Sequence, residues 1–146
     1  MAYTTLVELK KFLPEHIIVD LTDDYNTNTI EGEITDEAIA QAQTTIDTYM
    51  RGRYPNEISD ADVPDFIQDM ATKIAVYNLY RRKLDLTMPD SIKDDYKDTL
   101  KMLRDIQSGK LTPFPAADEP VIIVSNKTSD SRTYSSSVLD SYNTIH

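Results

Sequence analysis

Apolar positions recur at helical spacing along most of this chain. Leu6, Leu9, Phe12 and Leu13 form a short stripe that Pro14 ends, and Thr5 with Glu8 has capping-box spacing. Glu15–Leu21 is a second apolar run, either one more helical turn or an extended connector. A polar loop, Thr22–Ile34, follows. Thr35 then caps a helix expected over about Asp36–Arg51, with Ile39, Ala42, Ile46, Tyr49 and Met50 on its inner face and Gly52 as its stop. Val63–Leu84 reads as the central helix, capped by Asp62 and ending in Arg81, Arg82 and Lys83. Phe66, Ile67, Met70, Ile74 and Tyr77 share one face of it. Val76, Leu79 and Tyr80 point elsewhere, so it is covered from more than one direction. Pro89 opens a last helix whose stripe is Ile92, Tyr96, Leu100, Leu103 and Ile106, with Gly109 as its C′ residue.

The pattern changes after Lys110. Pro113, Pro115 and Pro120 break any helix. Val121, Ile122, Ile123 and Val124 form a short β-branched run that reads as a strand. The polar remainder carries only scattered apolar points: Tyr134, Val138, Leu139, Tyr142 and Ile145. The expected architecture is all-α: a bundle of about four helices over residues 1–112, then an extended C-terminal arm over 113–146. That run either packs back on its own bundle or docks on another chain by strand addition or groove binding.

Composition narrows the classes. Three glycines in 146 residues disfavour all-β folds and phosphate-cradling loops. The absence of cysteine removes disulfides and thiolate chemistry. No apolar run is long enough to span a bilayer, and the first residues lack a signal-peptide pattern, so no membrane role is expected. The net charge of −10 is uneven. Residues 1–60 carry twelve acids against four bases, 61–110 are balanced, and 111–146 carry four against two. Such a surface does not suit tight binding to a phosphate backbone, though it does not exclude proximity to DNA, since a surface that lets DNA slide past without sticking should be acidic or neutral.

Candidate chemistry is sparse. His16 and His146 lie far apart, and no H-E-x-x-H, G-x-S-x-G or phosphate loop is present, so no enzyme and no cofactor are expected. The loop acids Asp23, Asp24, Glu31 and Glu33 lack the central glycine and register of a calcium loop, which favours a solvated Asx-rich turn. Arg81 lies near the apolar face of the central helix. It either snorkels outward or is bonded within an interface.

A set of spaced residues resembles a known family. They are Tyr3 with Leu6, Leu9 and Phe12; Leu21-Thr22-Asp23; Ala38-Ile39 with Ala42, Ile46-Asp47 and Tyr49; Gly52-Arg53-Tyr54; Val63-Pro64; Ala75 with Tyr77 and Leu79-Tyr80; and Tyr96 with Leu100, Leu103, Ile106 and Gly109. Over residues 1–110 the chain resembles the small head–tail connector, or head-completion, proteins of Mu-like and other tailed phages. Members often have a more Asp- and Gly-rich loop than Asp23–Gly32 here.

The resemblance implies a structural virion protein at the head–tail junction, assembled in the bacterial cytoplasm. It implies a homo-oligomeric ring, expected to be a dodecamer. The ring docks on the portal, extends the channel for double-stranded DNA without binding it specifically, and offers a platform to a tail or stopper protein. On that reading the arm, through Val121, Ile122, Ile123, Val124, Tyr134, Leu139 and Tyr142, meets the portal or a neighbouring subunit. Val76, Leu79, Tyr80 and Arg81 form a subunit interface, with Met70 and Ile74 buried in the isolated protomer and Leu79 and Tyr80 more exposed there and covered in the assembly. Asp23, Asp24, Glu31 and Glu33 face the channel or the tail. The rival reading is a monomeric helical adaptor or regulatory domain that binds a host or phage protein.

Overall fold

A computed structural model describes residues 2–55 and 58–114. The described part is helical: α1 (Leu6–Phe12), α2 (Glu15–Thr22), α3 (Gly32–Met50), α4 (Asp65–Arg82) and α5 (Asp90–Ser108), with a 3-10 turn at Asp60–Asp62. No strand occurs among the described residues. The helical unit runs Met1–Pro115, and a second unit, Ala116–His146, lies outside the described residues. The strand expected at Val121–Val124 and the arm anchors Tyr134, Leu139 and Tyr142 therefore fall outside them too.

α4 is the hub. It packs against α1, α2, α3 and α5, while α3 and α5 also touch each other. This central place follows from its composition. Ile67, Met70, Ala71, Ile74, Ala75, Val76 and Leu79 are all buried and leave no continuous polar side. Ala71 and Ala75 add little bulk, so neighbouring backbones can approach closely. α3 contributes Ala38, Ile39, Ala42, Ile46 and Met50 to the core, and α5 contributes Ile92, Leu103 and Ile106. Leu9, Ile18 and Leu21 close it from α1 and α2. Buried hydroxyls are accommodated as well: Thr4 and Thr72 pair at 2.7 Å, and Thr99 donates to the Asp95 carbonyl. No described buried side-chain N or O lacks a partner.

Several boundaries differ from those read in the sequence. α3 begins at Gly32, not near Asp36, and Thr35 is a buried residue inside it. The Thr35 hydroxyl donates backward to the Gly32 carbonyl (2.8 Å) instead of accepting from the next turn, so it continues the helix. α4 begins at Asp65, with Pro64 extended (ψ 144°) in the capping position. Asp62 belongs to the preceding 3-10 turn, and its carboxylate accepts from the Ser59 hydroxyl. The Thr5–Glu8 capping box does not form. Thr5 makes no side-chain cap, and Glu8 instead pairs with Lys11 at 2.7 Å. The run after Pro14 is the helix α2.

The ends of α3 and α5 meet. α5 closes in a Schellman motif: Lys110 N–H donates to the Asp105 carbonyl (2.8 Å) and Gly109 N–H to that of Ile106 (3.1 Å). Gly109 has φ +82°, which glycine adopts freely. The Arg53 guanidinium lies where a Cβ at Gly109 would stand. Next to it, Tyr54 meets Phe114 edge-on at 5.3 Å. Gly52-Arg53-Tyr54 and the terminal glycine, distant in sequence, thus form one junction.

Candidate functional site

The described surface is most elaborated at the opposite end of the bundle, where the α2–α3 loop lies against the end of α4. Asp23 organises this loop. Its carboxylate accepts from the backbone N–H groups of Tyr25 (3.1 Å), Thr27 (3.0 Å) and Asn28 (2.6 Å) and from the Thr27 hydroxyl (3.2 Å). Asn26 and Asn28 take left-handed φ values of 55° and 57°, a conformation asparagine tolerates. The Thr22 hydroxyl accepts from Glu31 N–H (3.3 Å) and closes the loop's neck. These bonds favour the ionised carboxylate, chiefly that from Thr27 N–H, and hold the Asp23 carboxyl below the ordinary range.

Asp24 fastens the loop to α4. Both of its oxygens accept from the Arg82 guanidinium, and the Lys83 ammonium donates to it at 3.0 Å. Arg82 also donates to the Leu21 carbonyl (3.3 Å), and Lys83 to that of Asp23 (3.2 Å). The bonds from Arg82 and then Lys83 bring the Asp24 carboxyl down to about 2, from an ordinary 3.8. A two-pronged guanidinium–carboxylate pair fixes orientation as well as distance.

The acidic set named from the sequence is thus divided. Asp23 is an ionised carboxylate tied into the loop's own hydrogen bonds, and Asp24 is paired with Arg82 and Lys83. Glu31 is half-buried at the cap position of α3, and Glu33 is exposed in its first turn. The set expected at a subunit interface also divides. Val76 and Leu79 are fully buried inside the protomer, which corrects the expectation that Leu79 stands exposed. The reason is that α3 and α5 flank α4 simultaneously, so its second apolar side is used within the chain. Tyr80 is half-buried, and burial raises its phenol's pKa. Arg81 is exposed and borders a surface cleft with Glu37, Gln41 and Asn78, so it is not buried within the protomer.

The clamp itself escaped sequence reading. Arg82 and Lys83 were legible only as helix-end cations. Their pairing with Asp24, 58 positions before Arg82, depends on the packing of α2 against α4. Another pair shows the same effect: Tyr77 of α4 and Tyr96 of α5 stack with ring centres 3.7 Å apart, and burial first, then Tyr77, raises the Tyr96 phenol's pKa.

Among the described residues no three His, Asp or Glu side chains stand together as a metal site, and no helix is long and apolar enough to cross a membrane. The family described as Bacteriophage Mu, Gp36 matches residues 3–128. The chain belongs to this family. No curated protein matches it. The Gp36 family match embraces the whole described bundle and runs beyond it, so the clamped loop and the Arg53–Gly109 junction both lie inside the family's span.

Proposed function

We propose that this member of the Gp36 family is a structural, non-enzymatic protein of the phage particle, working at the head–tail junction. It forms a homo-oligomeric ring that docks on the portal, extends the DNA channel and receives a tail or stopper protein. It needs no cofactor, and DNA passes it without specific contacts. The observation that carries this reading is the family match over residues 3–128. A rigid helical unit with a clamped loop supports a part in assembly, and the acid excess of residues 1–60 supports a wall that does not retain DNA. Of the residues expected at a subunit interface, Tyr80 and Arg81 reach the surface of the protomer and are the ones offered for that contact, while Val76 and Leu79 are buried within it.

Light scattering and negative-stain microscopy of the full chain, alone and with purified portal, test the reading. A ring, or a stable portal complex, is expected. A chain that stays monomeric and never joins portal or particles overturns it and leaves the monomeric adaptor. Removal of residues 120–146 tests the arm: the truncated chain stays helical but fails to join the particle, and assembly without the arm would refute its role.

A further inference from the structure

Among the described residues, Tyr77 and Tyr96 are two phenols whose rings lie face to face. Their centroids are 3.7 Å apart and their planes differ by 2°. A second ring contact, Tyr54 with Phe114, is edge-on, and phenylalanine carries no phenol. The stack joins two helices: Tyr77 comes from α4, the hub, and Tyr96 from α5. Tyr49 of α3 and Arg81 of α4 are near enough to act on the Tyr96 phenol electrostatically. Both stacked rings are half-buried, so packing holds them while part of each stays open to solvent. Neither hydroxyl is bonded within the described protein, and neither is buried without a partner, so both reach water.

Phenols held in this way are prepared for oxidative coupling. Loss of one electron and one proton turns a phenol into a phenoxyl radical, whose spin spreads onto the ring carbons flanking the one that bears oxygen. Two such radicals in van der Waals contact pair their electrons and form a carbon–carbon bond between the rings. Face-to-face rings at 3.7 Å bring those carbons within a small hinge motion of bonding distance, whichever way each ring is turned. Competition within the chain is low. It has nine tyrosines but no cysteine and no tryptophan, the other side chains that give up an electron most readily. Tyr25 is 79% exposed and open to oxidants, but it makes no ring contact among the described residues and so has no phenol waiting beside it.

We propose that Tyr77 and Tyr96 are a site of oxidative modification, coupled by a one-electron oxidant into an intramolecular dityrosine that staples α5 to α4. Each phenol gives one electron to the oxidant and one proton to water. The two ring carbons then bond, and the hydrogen on each bonded carbon moves to the oxygen of its own ring, which restores two phenols. The product is lighter by two hydrogens. The co-reactant is an oxidant that accepts two electrons in two single steps, such as a photo-oxidised metal complex. The bond closes the turn from α4 into α5 as a covalent loop and so restricts the unfolded chain. It needs only the fold of one protomer and stands apart from the head–tail reading.

The test treats the full chain, at low protein concentration, with photo-oxidised tris(bipyridine)ruthenium and persulfate. It compares the parent with Tyr77→Phe, Tyr96→Phe and Tyr80→Phe. Each variant keeps its ring, and circular dichroism checks its fold. The parent is expected to lose two hydrogens by intact mass while running as a single chain on a denaturing gel. Tryptic mapping is expected to join residues 74–81 to residues 94–97. Tyr80 lies in the first of these peptides, so Tyr80→Phe should leave the link, while Tyr77→Phe and Tyr96→Phe should remove it. The linked parent is expected to melt several degrees above the untreated chain. A link that survives Tyr77→Phe, links formed only between chains, or oxidised protein without a Tyr77–Tyr96 bond overturns the proposal. So does a linked chain that melts no higher, because the bond then staples nothing.

Discussion

Gly109 offers the sharpest physical test of the fold, because two separate costs can be told apart there. At φ +82° an alanine would sit in the left-handed region, at about 1–2 kcal/mol. Loss of glycine's freedom in the unfolded chain offsets up to about 1 kcal/mol of that. The new methyl group would also displace the Arg53 guanidinium. That group ends a flexible, exposed side chain, so it can swing into water at little cost. Gly109→Ala is therefore expected to destabilise by about 1 kcal/mol net, nearly all of it from the backbone. Gly109→Asn is expected to cost less, since asparagine visits this conformation more readily. Gly52 supplies the control. It has no left-handed φ and nothing within 4 Å of a Cβ position, so Gly52→Ala should be neutral or slightly stabilising. Urea unfolding followed by circular dichroism measures all three. Adding Arg53→Ala to Gly109→Ala separates the two costs: backbone strain leaves the pair additive to within about 0.5 kcal/mol. A large positive coupling, with Arg53→Ala restoring most of the lost stability, would refute the backbone account. So would a Gly52→Ala cost equal to that at Gly109.

Three further outcomes are expected. Leu79→Ala, at a site buried inside the protomer, should cost about 2–5 kcal/mol by thermal or urea melting of the isolated protein; a near-neutral result would return Leu79 to the surface. The Asp24 carboxyl is lowered to about 2, so its contribution to stability is fully present above pH 4 and is lost as pH falls towards 2. Asp24→Asn should flatten the acid limb of the stability curve, and an unchanged limb would mean that the clamp adds nothing. Asp23→Ala should speed amide exchange at Tyr25, Thr27 and Asn28 while leaving α4 protected; unchanged exchange would show that the loop is held by something else.

The periodic stripes of α3, α4 and α5 were legible because each needs only residues three and four positions apart. Helix ends were less legible, because Thr35 and Asp62 carry side chains able both to cap a helix and to bond backward within a turn. The acidic loop was legible as an Asx-rich turn, since Asp23 reaches only to residues two to five positions ahead. Its electrostatic character was not. Asp24 read as free negative charge until α4 brought Arg82 and Lys83 to it.

Local chemistry therefore determined the helical class, the left-handed glycine at the end of α5, the self-bonded loop and the resemblance to a phage family. Only tertiary packing decided which apolar side chains remain on the surface. Val76 and Leu79 look, by spacing alone, as available to a neighbour as Tyr80 does. In the folded chain the first two are fully buried, whereas Tyr80 keeps part of its surface. Leu84 is an equally ordinary leucine in the sequence, yet it stands exposed directly after Lys83 of the clamp. Spacing along a helix states which side chains share a face. The number of neighbours that face will have is a property of the whole chain.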